Sequence, residues 1–92
     1  MIETQRKIEA VCNNLAGFLQ EKNKRYGDAA LSPIGIFNKG DATNSITIRL
    51  DDKLSRIRNS SELKKNDVVD IAGYLVLLMA ANDWLSFDEF LD

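Results

Sequence analysis

Between Ile71 and Ala81 the chain reads Ile-Ala-Gly-Tyr-Leu-Val-Leu-Leu-Met-Ala-Ala, an apolar run broken only by Gly73 and Tyr74. It is far short of the roughly 20 apolar residues that a membrane span needs, so it predicts a buried helix. A helix that is apolar on nearly every side has to be enclosed by other elements, and this requirement sets the architecture. With 92 residues, 45% of them hydrophobic, the chain can build one core, but domains of this size bury a limited fraction of their surface. The expectation is a single all-α domain over residues 1–92. It is an antiparallel helical bundle of three long helices plus short helical turns, completed by assembly into a homodimer or homotetramer.

The other helices follow from periodicity. From about Thr4 to Lys22, Ile8, Val11, Cys12, Leu15, Phe18 and Leu19 recur at steps of three and four with polar residues between them, which predicts one amphipathic helix. The period is lost at Asn23-Lys-Arg-Tyr-Gly-Asp28, where that helix should stop. Ser32-Pro33 reads as an N-cap followed by proline at the first helical position, starting a short helix or turn through Phe37. Asp41 or Thr43 can cap a second long helix over about Asn44–Arg58, whose apolar seam is Ile46, Leu50, Leu54 and Ile57; the alternation in Ser45-Ile-Thr-Ile-Arg-Leu also resembles a strand. Asn59-Ser-Ser61 breaks the pattern and supplies caps for a third long helix from about Glu62 to Ala81. The tail after Asn82 carries Trp84, Phe87 and Phe90 among acidic residues, suited to a short docked helix or a contact with a neighbour.

Composition removes several functions. Histidine is absent, so no Ser-His-Asp or Cys-His relay is available and the commonest zinc and copper ligand is missing. Fourteen acidic against 12 basic residues give a net charge of −2, without the broad positive field that duplex nucleic acid requires. One cysteine, Cys12, makes no internal disulfide, and the charged start Met1-Ile-Glu-Thr-Gln-Arg-Lys lacks the apolar stretch of a signal peptide. Both features suggest a cytoplasmic protein without a membrane partner.

Three constellations can carry chemistry. Arg49, Asp52, Lys53 and Arg56 lie at three- and four-residue spacings and form one strip opposite the apolar seam of the second helix. A solvated face laced with ion pairs is the ordinary reading of such a strip. Asp67 and Asp70 project from one face of the third helix, and Tyr74 continues that strip. Asp67 sits near a helix start, where acid is favoured, whereas Val68, Val69, Ile71 and Ala72 surround Asp70 and predict its burial. A buried carboxylate needs a compensating cation. That cation is either one of Arg49, Lys53 and Arg56 in a register-fixing network, or a divalent ion held by Asp52, Asp67 and Asp70. All-oxygen ligands favour Mg²⁺, or Mn²⁺, over zinc. In Lys22-Asn-Lys-Arg-Tyr-Gly-Asp28, Tyr26 can stack on a base while Lys24 or Arg25 meets phosphate; an ordinary helix-stop loop reads the same way.

The order of Lys24-Arg-Tyr-Gly-Asp28, Arg49-Leu-Asp-Asp-Lys-Leu-Ser-Arg56 and Asn66-Asp-Val-Val-Asp-Ile-Ala-Gly-Tyr74 resembles the small phage- and prophage-associated relatives of the MazG-like all-α nucleoside triphosphate pyrophosphohydrolases, including nucleotide-modification-associated proteins. The resemblance runs from Lys22 to Leu78. In that superfamily Glu-x-x-Glu and Glu-x-x-Asp on two helices bind magnesium and, through it, a triphosphate. Asp67-Val-Val-Asp70 matches the second motif with aspartate for glutamate. Asp52 resembles the second acid of the first motif, while Arg49 stands where its first acid is expected, one ligand fewer.

The resemblance implies a magnesium-dependent hydrolase that splits a nucleotide between its α- and β-phosphates. Asp52, Lys53, Asp67 and Asp70 would be the catalytic set, with the three aspartates as metal ligands. Lys24, Tyr26, Arg49, Arg56 and Tyr74 would bind the substrate. The alternatives are a non-catalytic nucleotide- or protein-binding helical oligomer of phage or prophage origin, and a purely structural oligomer joined through the apolar helix and aromatic tail.

Overall fold

The computed structural model describes residues 2–31 and 40–91. Among them it is all-helical: α1 spans Ile2–Arg25, α2 Ala42–Arg58 and α3 Lys65–Ala81, with a 3-10 turn at Asp88–Phe90 and no strand. The short element expected from Ser32 to Phe37 lies outside the described residues. No described helix is long and apolar enough to cross a membrane.

The second element is a helix despite its alternating stretch, and its start is capped as expected. The Asp41 carboxylate accepts the Asn44 backbone N–H at 2.8 Å, satisfying one of the amides that a helix start leaves without an internal partner. The third helix begins later than expected, at Lys65, and its N-cap Lys64 makes no side-chain capping bond. The chain turns before the helix instead: the Ser60 hydroxyl donates to the Glu62 carbonyl at 2.9 Å and accepts the Glu62 N–H at 3.3 Å. Such side-chain turns compete with helix for the same backbone groups.

Two helices stop on left-handed residues. At the end of α1, Gly27 has φ +60° and the Asp28 N–H reaches back to the Asn23 carbonyl at 3.1 Å. At the end of α3 the same six-residue closure runs from the Trp84 N–H to the Met79 carbonyl at 3.0 Å, but Asp83 (φ 57°) holds the left-handed position. Glycine occupies that position without steric cost, whereas aspartate does not.

α2 and α3 pack against each other as an antiparallel hairpin. The end of α3 meets the start of α2, where Asn82 Nδ2 donates to Thr43 Oγ1 at 3.4 Å and to the Leu78 carbonyl at 2.8 Å. At the opposite end, Lys53 of α2 meets Asp67 and Asp70 of α3. Ile46 is the one fully buried hydrophobic side chain among the described residues. α3 is not enclosed in the single chain, since Leu75 and Val76 remain exposed, and the tail does not dock, since Trp84, Phe87 and Phe90 are all exposed.

α1 joins this hairpin through its C-terminal half. The closest approach is at Gly73, where a Cβ would stand 3.1 Å from Leu19 Cδ2. The small residue lets the two helices come together. The N-terminal half of α1 has Ile8, Val11 and Cys12 exposed, so this part of its apolar stripe finds no cover among the described residues.

Replacing Asp83 by glycine should raise stability by about 1 kcal/mol by removing the left-handed penalty. Gly17→Ala, on an α1 face where an added Cβ meets nothing within 4 Å, should add about 0.5–1 kcal/mol of helix propensity. Urea denaturation of each variant beside the parent checks both values, and a loss of stability in either would contradict the corresponding helix geometry.

Candidate functional site

The inward face of α2 is not the seam expected from apolar residues alone. Ile46 is buried and Leu50, Lys53 and Ile57 are half-buried, while Leu54 is exposed. Both 46-50-54-57 and 46-50-53-57 keep steps of three and four. Charge selects the second, because Lys53 is drawn inward by the acids of α3. Its Nζ lies 2.7 Å from Asp70 Oδ2 and 3.9 Å from Asp67 Oδ1, with the lysine side chain only 14% exposed.

The two acids differ from expectation in burial. Asp67 is buried, at 8% exposure, whereas Asp70 keeps about a third of its side chain accessible. The late start of α3 puts Asp67 in the first turn, where the N-terminal end of the helix dipole favours a carboxylate. Val68 beside it is exposed and does not bury Asp70. No buried side-chain nitrogen or oxygen among the described residues lacks a hydrogen-bond partner, so the ion-paired cluster is internally satisfied.

Next to this cluster lies a cavity of about 350 Å³, within the range typical of small-molecule sites. Phe18, Leu19, Lys22 and Asn23 of α1 form one wall with Tyr26 in the turn just after it, and Ala29 and Ala30 beyond; Arg49 of α2 and Val69, Asp70, Gly73, Tyr74 and Leu77 of α3 complete it. Lys22 and Arg49 bring two cations, and neither is ion-paired with another described residue. The Lys22 ammonium sits 5.2 Å from the centre of the Phe18 ring, close enough for a cation–π contact. Asp70 is the one carboxylate in the lining, and it faces Lys53.

Of the residues singled out from sequence, Tyr26, Arg49, Asp70 and Tyr74 line this cavity. Lys53 and Asp67 lie behind its wall, attached through Asp70. Asp52, Arg56 and Lys24 are exposed and outside the lining. Asp52 is therefore not beside the Asp67–Asp70 pair in a shared cage, and among the described residues no three His, Cys, Asp or Glu side chains group so as to hold a metal ion. The position between Asp67 and Asp70 is taken by the Lys53 ammonium.

Lys22, Asn23, Phe18 and Leu19 are site residues that sequence reasoning passed over. Their signal was present: Phe18, Lys22 and Tyr26 follow at i, i+4 and i+8 on one helix face. Lys24, two residues from Lys22, falls about 200° around the helix. Arg25 is engaged by Glu21 at 3.0 Å.

Comparisons with protein-family models, curated proteins and solved structures return no match to this chain. The functional argument therefore rests on the cavity and its residues.

Lys53→Met, which keeps the length but removes the charge, should cost about 3 kcal/mol because it strands a buried carboxylate without its cation. Lys53→Arg should cost much less. Denaturant unfolding of the two variants tests this, and a neutral Lys53→Met would show that the ion cluster does not hold α2 to α3.

Proposed function

We propose that the chain binds a nucleotide in the cavity between α1 and α3, with Lys22 and Arg49 meeting the phosphates and Tyr26 or Tyr74 contacting the base or sugar. The observation that supports this most is the convergence of two cations, neither ion-paired among the described residues, and two tyrosines on one concave, largely apolar surface. A phosphate group is attracted to lysine as a point charge and to arginine through its planar fork of donors. Phenol rings offer apolar faces on which a heterocycle can lie. Asp70 is paired with the Lys53 ammonium at 2.7 Å, and that ammonium also faces Asp67 at 3.9 Å, so its pull on the local positive charge is reduced.

In this reading the Asp67–Lys53–Asp70 cluster is scaffold. It fixes the register of α2 on α3, and with it the placement of Arg49 one turn before Lys53. Nucleotide binding then needs no divalent ion, and Arg49, where the MazG-like pattern has an acid, supplies positive charge directly.

The second reading is the magnesium-dependent pyrophosphohydrolase. Its support is that Asp67 and Asp70 already share one cation between them. Magnesium would have to displace the Lys53 ammonium to use that pair. As placed, the acids do not fit a metal cage, and no hydrolytic step is derived through one.

Isothermal titration with a panel of nucleoside mono- and triphosphates, in EDTA and again in magnesium, separates these readings. Binding that persists in EDTA, weakens about tenfold or more in Arg49→Ala and is unchanged in Arg56→Ala, whose side chain lies outside the cavity, is the expected outcome. Pyrophosphate release that appears only with magnesium would favour the hydrolase. Absence of binding in every condition would overturn both.

A further inference from the structure

The accessible surface of the single chain is 7745 Å², whereas a compact monomer of this mass exposes about 5,400 Å². Its radius of gyration is 15.1 Å, against about 12 Å for a compact domain of the same length. The excess, roughly 2,300 Å² by the same scaling, is of the size that one protomer buries in an obligate dimer.

Part of the exposed apolar surface is on α1. Ile8, Val11, Leu15 and Phe18 repeat at steps of three and four, the a and d positions of a heptad. Ile8 is 58% and Val11 65% exposed, Phe18 is also exposed, and Leu15 is half-buried. Among the described residues this helix of 24 residues meets the hairpin through its C-terminal half, which leaves the Ile8 and Val11 end of the stripe needing a partner.

The flanking charges name that partner. With Ile8 and Leu15 at a, and Val11 and Phe18 at d, the g positions are Lys7, Asn14 and Glu21. An antiparallel pairing that seats Ile8 against the partner's Phe18 and Val11 against the partner's Leu15 brings Lys7 opposite the partner's Glu21 and Asn14 opposite the partner's Asn14. The same register places Cys12 beside the partner's Cys12 on the other flank. The surface is thus self-complementary about a twofold axis, as an isologous interface requires.

At present Lys7 pairs with Glu3 at 3.4 Å and Glu21 with Arg25 at 3.0 Å, all on exposed side chains. Such pairs contribute little and exchange readily for intermolecular ones. We infer that α1 is a homodimerisation helix, pairing antiparallel with α1 of a second copy through Ile8, Val11, Leu15 and Phe18, with Lys7–Glu21 ion pairs fixing the register.

Sedimentation analysis of the full chain at low salt tests this. The parent should be a dimer, and Val11→Asp should weaken it at least about a hundredfold by placing charge in the seam. Lys7→Glu and Glu21→Lys should each weaken it several-fold, and the double charge reversal should recover the parent affinity. That recovery separates an interchain pair from a helix-stability effect, because the double variant carries both intrahelical repulsions, Glu3 with residue 7 and Arg25 with residue 21. A short-arm bis-maleimide should also join Cys12 to its counterpart. A monomeric parent would overturn the inference, as would a double variant weaker than both singles. So would a dimer lost on removing residues 84–92 yet indifferent to the α1 changes, since the aromatic tail would then be the interface.

Discussion

The contact on which the described structure depends is the lysine of α2 inserted between two aspartates of α3. Ile46 alone among the described hydrophobic residues is fully buried, and one such side chain contributes only about 1.5–3 kcal/mol. Apolar packing by itself therefore specifies the α2–α3 register weakly. Lys53 specifies it strongly, because a shift of one residue along α2 would rotate its ammonium about 100° away and leave Asp67 buried without a cation. Buried ion pairs often add little net stability, yet breaking one is costly. That asymmetry gives register its penalty.

The same contact separates what was legible in the sequence from what was not. Three long helices, the Asp41 cap and the stop after Arg25 follow from local periodicity and local chemistry, and each lies within a residue or a few of its expected place. The inward turn of Lys53 in place of Leu54 does not follow, because both residues satisfy helical spacing. The choice belongs to the acids on another helix, which a single-helix pattern cannot contain. The delayed start of α3 is a local matter instead, with the Ser60 hydroxyl bonded to both backbone groups of Glu62 in a turn ahead of the helix.

The candidate site divides along the same line. Arg49, Asp70, Tyr74 and Tyr26 were legible because their residue types are conspicuous where they stand. Phe18 reads in the sequence as part of the apolar stripe of α1, and Lys22 as the start of a stretch whose chemistry is assigned to Lys24, Arg25 and Tyr26. Here the stripe continues as a lysine whose ammonium rests by an aromatic ring, so its stem can remain on the apolar face while its charge reaches the cavity. The three-aspartate metal set failed to assemble because Asp52, one residue before Lys53, is turned about 100° from it on the helix and lies exposed.

α1 carries two unlike surfaces on one continuous helix. Its C-terminal half supplies a cavity wall through Phe18 and Lys22, while its N-terminal half presents a stripe left uncovered among the described residues. Phe18 belongs to both, lining the cavity and holding the last apolar position of the heptad. Pairing of α1 with a second copy would fix Phe18 from one side, and through it the ring on which the Lys22 ammonium rests. Association would thereby restrain the cavity wall, with Ile8 of the second copy packed on the outer side of that ring. A domain with so small a core of its own would gain from assembly both its missing apolar cover and a rigid wall for its ligand.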